Sequence, residues 1–479
     1  MNVFMILYTV GTLLKVEAAL MLLPAAVGLL YKESPVAFLL TIAALLAVGQ
    51  AMAWKKPRNT AIYAKEGFLI VGLSWTLMSI FGALPFVISG EIPRFVDAFF
   101  ETVSGFTTTG ASILTDVEAM SRGTLFWRSF THWVGGMGVL VFVLAVLPKA
   151  EAQTLYIMKA EVPGPTCGKL VARVRQTALI LYGIYLVMTV ILIALLVLGG
   201  MPLFDSVLHA FGIAGTGGFG IKSVSVGYYN SVYIDYVIGI FMMLFGVNFN
   251  LYYYLLLGDF VSVYKSEELR WYLGIIAAAV GMITLNILPQ YGSVLNSLRY
   301  AFFQVSSIIT TTGYTTADYS LWPSFSQTIL VMLMFIGAMA GSTGGGIKVS
   351  RVVVLVKNAY RELCDMRSPR SVNRLKFEGK AMDKTTISGI QAFFTAYVVL
   401  FCLSILVLSL DQQDHVSNLT AVAACINNIG PALGVCGPMG SYAPFSDLSK
   451  YMLSFDMLAG RLEIFPMLML FAPSTYRRH

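Results

Sequence analysis

Apolar residues dominate long blocks of this chain, and the blocks have one recurring length. A helix that crosses a bilayer needs about 20 mostly apolar residues. Blocks of that kind lie near 4–30, 35–54, 67–88, 124–147, 177–200, 232–257, 271–290, 326–356, 387–410 and 448–471. Shorter apolar segments near 95–106, 203–214, 296–309 and 415–427 fall between the third and fourth blocks and within each of the next three pairs. Each short segment runs into a stretch rich in Gly, Thr or Asn and is too short to cross. Such re-entrant segments survive in a membrane only where protein or a water-filled cavity satisfies their backbone. The pattern predicts an all-α integral membrane protein with ten transmembrane helices and four re-entrant helices.

Composition agrees. Of 479 residues, 57% are hydrophobic and 12% charged, with a mean hydropathy of +0.75. A soluble domain carries about 25% charged residues, so this chain has too little charge to cover a water-facing surface, and soluble-enzyme readings are excluded. The net charge of +7 does not point to nucleic acid, because the basic residues sit in short loops, where such a bias sets orientation. With both termini inside, the inner loops and tail hold 23 of the 32 Lys and Arg. Seven lie outside (Lys32, Arg94, Arg122, Arg128, Lys222, Arg299, Lys450), and Lys15 and Arg461 fall within spans. This orientation places all four re-entrant segments on the outer side. The first apolar block lacks a convincing cleavage site and reads as a retained helix.

The short segments are repeats. Aligned on glycine they read SGFTTTGA (104–111), GIAGTGGF (212–219), SIITTTGY (307–314) and CINNIGPA (425–432). The shared glycines, Gly110, Gly218, Gly313 and Gly430, are 108, 95 and 117 residues apart. Thirteen residues upstream stand Asp97, Asp205, Tyr300 and Ser417, three of them favourable helix N-caps. Each unit therefore reads as span, capped short helix, glycine loop, span. The expected division is two accessory helices in 1–60, then repeats at 61–165, 166–265, 266–375 and 376–479.

A dehydrated cation needs a cage of oxygens, and backbone carbonyls supply one when successive ones face a common axis. Glycine permits the positive φ this demands and lets backbones approach closely. The C-terminal, partly negative helix ends aim at the same centre. The candidate cation-binding residues are Thr108, Thr109 and Gly110; Thr216, Gly217 and Gly218; Thr311, Thr312 and Gly313; and Asn428, Ile429 and Gly430. No acid lies in these loops, which argues against a carboxylate ring. The nearest, Glu101, aligns with His209, Gln304 and Ala421. Small residues also serve tight helix packing, but four loops in register on one side favour the cation reading.

With the motifs ETVSGFTTTGAS (101–112), HWVGGMGVLV (132–141), FGVNFNLYYYLL (245–256), AGSTGGGIKVSR (340–351) and GRLEIFP (460–466), the chain resembles the TrkH/Ktr/HKT superfamily of potassium transporters, most of all the bacterial TrkH branch. The resemblance covers nearly the whole chain. It implies four span–pore-helix–span units around one pore, with two extra N-terminal helices. It further implies potassium uptake in the bacterial cytoplasmic (inner) membrane by a homodimer, with a cytoplasmic TrkA-like regulatory ring that binds nucleotides. It implies potassium as the transported ion and no organic cofactor on this chain. In the family, glycine in all four loops goes with potassium and serine in the first with sodium permeability, so Gly110 places this chain with the former. The second and fourth loops depart from TTTG.

Two motifs mislead. GTGGFG (215–220) matches a dinucleotide fingerprint, but that needs a βαβ unit, and here it aligns with the other glycine loops. GSTGGGIK (341–348) resembles a P-loop, but Ile347 separates glycine from Lys348. It interrupts the eighth span, because each glycine costs a helix about 1 kcal/mol relative to alanine. Gly341, Ser342, Thr343, Gly344, Gly345 and Gly346 are expected to form a flexible gate beneath the glycine loops, with Lys348 nearby; a passive kink is the alternative. Arg461 lies within the last span, where a charge needs a cavity or a partner. It is expected to face the pore as an electrostatic barrier, networked with Glu463 or Lys348; snorkelling to the inner surface is the alternative. His132 and Trp133 read as interfacial anchors. The basic stretch 357–384 suits either a partner's docking site or a solvated inner loop. Cys167, Cys364, Cys402, Cys425 and Cys436 show no metal-ligand spacing.

The favoured reading is a gated, channel-like potassium conduit; the alternative is an alternating-access cation symporter coupled to protons or sodium. Two spans per repeat make the repeats parallel, which favours the pore. No catalytic constellation supports a membrane enzyme.

Overall fold

The computed structural model describes residues 2–57, 62–138, 174–368 and 374–473. Within them the chain is almost wholly helical. Three N-terminal helices, α1 (Val3–Leu20), α2 (Leu22–Leu30) and α3 (Val36–Met52), precede α4 (Ala64–Ser89), α5 (Phe95–Phe106) and α6 (Arg122–Gly136). Then come α7 (Val174–Leu198), α8 (Leu203–Gly215), α9 (Val232–Phe245), α10 (Phe249–Leu256) and the short α11 (Phe260–Lys265). The chain continues through α12 (Glu267–Tyr291), α13 (Val294–Ile309), α14 (Ser324–Ile336) and α15 (Val349–Arg367). It ends with α16 (Lys384–Leu408), α17 (His415–Ile426), α18 (Asp447–Arg461) and α19 (Phe465–Phe471). An antiparallel hairpin, β1 (Lys376–Phe377) and β2 (Lys380–Ala381), lies between α15 and α16.

Lipid, not water, is the solvent this surface suits. Leu186, Val187, Val190 and Ile191 on α7, and Val398, Val399, Leu403 and Leu406 on α16, are all exposed, and contiguous apolar faces of that size are rare on soluble proteins. The best-defined span is α12. Ser266 caps it by accepting from the Leu269 N–H, Glu267 and Glu268 stand in its first turn, and Gly292 ends it at φ 64°. Acidic residues at a helix start complement its dipole.

The four short helices fall where the sequence places them, as α5, α8, α13 and α17. Each packs between the helices before and after it in the chain: α5 between α4 and α6, α8 between α7 and α9, α13 between α12 and α14, and α17 between α16 and α18. The following helix then reaches the next short helix, α6 to α8, α9 to α13 and α14 to α17, and α18 returns to α5. That last contact closes a ring.

Several expected spans are not single helices. Five helices among the described residues are long and apolar enough to cross a bilayer: Val3–Leu30, Lys65–Ser89, Ala178–Leu198, Glu267–Tyr291 and Lys384–Asp411. A sixth counts if α9 and α10 are joined, although they bend by 92°. The bend has a local cause, since Asn248 caps α10 by accepting from the Asn250 N–H. The expected span 326–356 is open between α14 and α15, where Gly337, Gly341, Gly346 and Lys348 all have positive φ. The span 448–471 breaks after Arg461, with Glu463 at φ 61° and Ile464 at φ 65°. The end of the span expected at 124–147 lies partly outside the described residues, as does Cys167.

The expected N-caps also shift. The short helices start from Arg94, Pro202, Ser293 and Asp414. Asp97, Asp205 and Ser417 instead occupy the first turn, and Tyr300 lies deeper in α13. Asp414 is the working cap of α17 and accepts from the Ser417 N–H at 3.0 Å.

Candidate functional site

Past each short helix the backbone makes the same two turns. Thr108, Thr216, Thr311 and Asn428 take left-handed φ values of 56°, 57°, 59° and 56°. Two residues on, Gly110, Gly218, Gly313 and Gly430 stand at 80°, 70°, 85° and 94°. Between them, the N–H groups of Thr109, Gly217, Thr312 and Ile429 donate back to the carbonyls of Ser104, Gly212, Ser307 and Ala424 at 2.8, 2.7, 2.8 and 2.8 Å. A left-handed residue other than glycine costs on the order of 1 kcal/mol and persists where surrounding structure demands it. Four at equivalent positions mark a shared demand.

The glycines show what it is. A Cβ added at Gly110 would lie 2.0 Å from the Gly217 carbonyl oxygen, one at Gly218 1.9 Å from that of Thr312, and one at Gly313 2.1 Å from that of Ile429. At Gly430 it would lie 2.7 Å from the Thr109 carbonyl oxygen. Each glycine thus abuts the carbonyl of the next loop's middle residue, and the fourth returns to the first. The ring is assembled backbone to backbone, which only glycine allows.

Side chains brace the loops unequally. In the first and third, Thr107 shares a hydrogen bond with Thr109, and Thr310 with Thr312, both at 2.8 Å. The second has no such pair. In the fourth, the Asn428 amide donates to Thr109 Oγ1 at 3.0 Å and to the Met457 carbonyl at 2.9 Å, tying the fourth loop to the first. Tyr442 donates from its hydroxyl to the Gly430 carbonyl at 2.7 Å.

Above the ring lies a cavity of about 290 Å³, lined by the four glycines and by Arg128 and Ser112 among others. Arg128 is buried rather than an outer-loop charge. It pairs with Glu101 at 2.6 Å, donates to the Gly220 carbonyl at 2.8 Å and sits 3.6 Å from the centroid of Phe219. Glu101 also accepts from Ser112 Oγ and the Ile113 N–H, so this acid is spent on holding the chain after the first loop.

His132 is no interfacial anchor; it is fully buried between two loops. Its Nε2 accepts from the Phe219 N–H at 3.3 Å, which leaves Nδ1 protonated to donate to the Gly105 carbonyl at 2.9 Å. One imidazole thereby joins the end of α5 to the second loop. Trp133 is half-buried and donates to Thr189 Oγ1 at 3.3 Å. Replacing His132 by Asn shortens this bridge and strands the Gly105 carbonyl or the Phe219 N–H, which is expected to lower the stability of the purified protein in thermal unfolding by about 1–3 kcal/mol. Stability equal to that of the parent counts against the bridge.

Beneath the ring, the interrupted span is packed against it. The Gly345 N–H donates to Thr311 Oγ1 at 2.6 Å, and a Cβ there would lie 2.4 Å from the Asn427 carbonyl oxygen. Lys348, buried, donates to the Gly344 carbonyl. Arg461, at the end of α18, donates to the Thr343 carbonyl at 2.7 Å and to the carbonyls of Gly135 and Gly136 at 2.6 and 2.9 Å. The structure thus brings Arg461 onto the segment 341–346 and seats it among carbonyls. Glu463 pairs with Arg351, at 2.6 Å. A cavity of about 10 Å³ remains here, lined by Gly344–Gly346, Lys348 and Arg461 among others, the lower limit for one water.

Four re-entrant helices in a closed circuit, each delivering a left-handed turn and a close-packed glycine to one centre, define a multi-pass helical membrane protein of the pore-loop kind. The TrkH family of cation transport proteins matches residues 34–477. The chain belongs to that family and is a transport protein, not an enzyme. It is 38% identical over 476 residues to the Trk system potassium uptake protein TrkH of Salmonella typhimurium, covering 98% of each chain. It is 33% identical to TrkG of Escherichia coli K12, covering 99% of each. The crystal structure of the potassium transporter TrkH from Vibrio parahaemolyticus superposes with a TM-score of 0.89 at 34% identity, covering 100% of both chains.

Proposed function

We propose that this protein carries potassium into the cell through the glycine ring, down a gated, channel-like path. The observation that carries the reading is the fourfold recurrence of one backbone course, left-handed residue, returning N–H and positive-φ glycine, closed by carbonyl–glycine contacts between successive loops. Thr108–Gly110, Thr216–Gly218, Thr311–Gly313 and Asn428–Gly430 are the potassium-binding residues, and their carbonyls replace the ion's hydration shell. The relatives named as potassium uptake proteins support the choice of ion.

Residues Gly341–Gly346, with Lys348 and Arg461, form the gate. Supporting this, the segment lies against Thr311 and Asn427 of the ring and is pinned by a charged side chain. Arg461 places a fixed positive charge beside the path, a barrier to cations in a poorly solvated setting. The four repeats span 61–165, 166–265, 266–375 and 376–479, behind two accessory helices in 1–60. The loop charges support an inner-membrane topology with both termini cytoplasmic. The working unit is a homodimer with a TrkA-like nucleotide-binding subunit, for which the basic stretch 357–384 offers a docking face.

Expression in a bacterium lacking its own potassium uptake, with and without a TrkA-like subunit, tests the function. Growth on low potassium is expected, and no growth despite membrane insertion contradicts it. Replacing Gly345 by Val should unseat the gate, because the added carbons meet the Asn427 carbonyl at once. Open probability in patches is expected to change by at least about tenfold, in line with the roughly 1–3 kcal/mol cost of overpacking; unaltered gating would remove the segment from the account.

A further inference from the structure

The interrupted span between α14 and α15 has both ends held by one carboxylate from another helix. Glu268, in the first turn of α12, is 5% exposed. Its Oε1 accepts from the Ala340 N–H at 2.8 Å and from the Ser350 N–H at 3.1 Å. These two residues bracket the segment 341–346. Any movement that draws Ala340 away from Ser350 must break one of these bonds, and a buried donor left without its acceptor costs about 1–3 kcal/mol.

Glu268 is itself positioned from outside the core. Its backbone N–H donates to Glu378 Oε1 at 2.9 Å, and the same oxygen accepts from Ser266 Oγ at 3.0 Å. Glu378 lies at the turn of the β1–β2 hairpin, with a left-handed φ of 50°. The hairpin is tied back in turn: the Glu378 N–H donates to Glu267 Oε2 at 3.2 Å, Glu267 pairs with Lys357 on α15, and Lys357 donates to the Lys376 carbonyl at 3.1 Å. Leu375 and Phe377 are buried in the cluster that contains Val349 and Val353. A continuous set of bonds therefore runs from an exposed hairpin, through the start of α12, to both ends of the segment beneath the ring.

We propose that Glu268 is a positioning residue that holds the segment 341–346 seated, and that Glu378 of the β1–β2 hairpin in turn holds the start of α12 in place for it. The proposal rests on the reading of that segment as a gate. Loss of the Glu378 carboxylate removes the acceptor for the Glu268 N–H and loosens the start of α12, so the seated arrangement loses part of its clamp.

The test is tracer rubidium influx into proteoliposomes of the purified full chain, with no partner present. Glu268→Ala is expected to raise initial influx about tenfold, Glu378→Ala to raise it by a smaller factor, and Glu268→Gln, which keeps an acceptor oxygen, to stay within about twofold of the parent. The potassium-to-sodium preference should be equal to that of the parent in all three, which a generally damaged fold would not preserve. Influx at or below the parental level in folded Glu268→Ala overturns the proposal. Should that variant fail to fold, the same result in Glu378→Ala, whose substitution is exposed, overturns it. Deleting Gly344–Gly346 separates the two failures. If the deletion raises influx and the substitutions do not, only the Glu268 connection falls; if none does, the gate reading falls with it.

Discussion

Gly218→Ala is expected to abolish potassium uptake, with tracer influx reduced by at least about a hundredfold, the usual cost of a misplacement near 1 Å at a site that works by positioning. The new Cβ would lie 1.9 Å from the Thr312 carbonyl oxygen and 2.9 Å from its carbon, both backbone atoms. Neither can rotate aside, so the second and third loops must separate. The backbone φ of 70° adds strain for any residue with a Cβ. The effect reaches the third loop first, because the clash falls on the carbonyl proposed to face the ion. Gly183→Ala makes a fair control, since nothing lies within 4 Å of that position, and it should leave influx near the parental value. Influx through Gly218→Ala within twofold of the parent, measured beside that control, would remove the ring from the transport path.

Arg461→Ala should act in the opposite direction. Three carbonyls, from Thr343, Gly135 and Gly136, accept from this one guanidinium, and each bond to a charged donor contributes about 1.5–3 kcal/mol. Losing them frees the segment beneath the ring and removes a positive charge from the path. Influx is expected to rise about tenfold or more. Arg461→Lys keeps the charge but not the fork that serves α6 and the segment 341–346 at once, so it should fall between. Reduced influx in a folded Arg461→Ala protein would show that the arginine helps ions through instead of holding them back.

The re-entrant helices were legible because hydrophobic length is a coarse signal. A segment of a dozen apolar residues that ends in glycine and threonine cannot cross, and α5, α8, α13 and α17 lie almost where that argument puts them. The glycine register was equally readable, since Gly110, Gly218, Gly313 and Gly430 share one φ region and one kind of contact. Breaks within spans were harder to see. Ile464 and Val247 look apolar and helical, yet the chain turns at both places, because the backbone there is set by hydrogen bonds that hydropathy does not register. The Ile464 N–H reaches the Ala459 carbonyl at 2.6 Å, and the Gly246 carbonyl accepts from the Met339 N–H at 3.1 Å.

Partnerships across the molecule were the least legible. His132 beside Trp133 has the look of an interfacial pair, and only the fold shows that Gly105 and Phe219 lie on either side of the imidazole. Glu268 reads as an ordinary first-turn acid of α12, and its partners stand 72 and 82 residues away. Arg461 was in part the exception. A charge within an apolar block demands a cavity or a partner, which puts it beneath the glycine loops; that the Thr343, Gly135 and Gly136 carbonyls accept from it only the fold shows.

The claim that potassium passes through the glycine ring is tested most directly by recording from the purified protein in a planar bilayer, with high potassium on one side and low potassium, made up with sodium, on the other. The account predicts discrete current steps that reverse near the potassium equilibrium potential and that Gly218→Ala eliminates. Saturable flux without steps, driven by a proton or sodium gradient in the same direction, would contradict it and make the protein a coupled carrier.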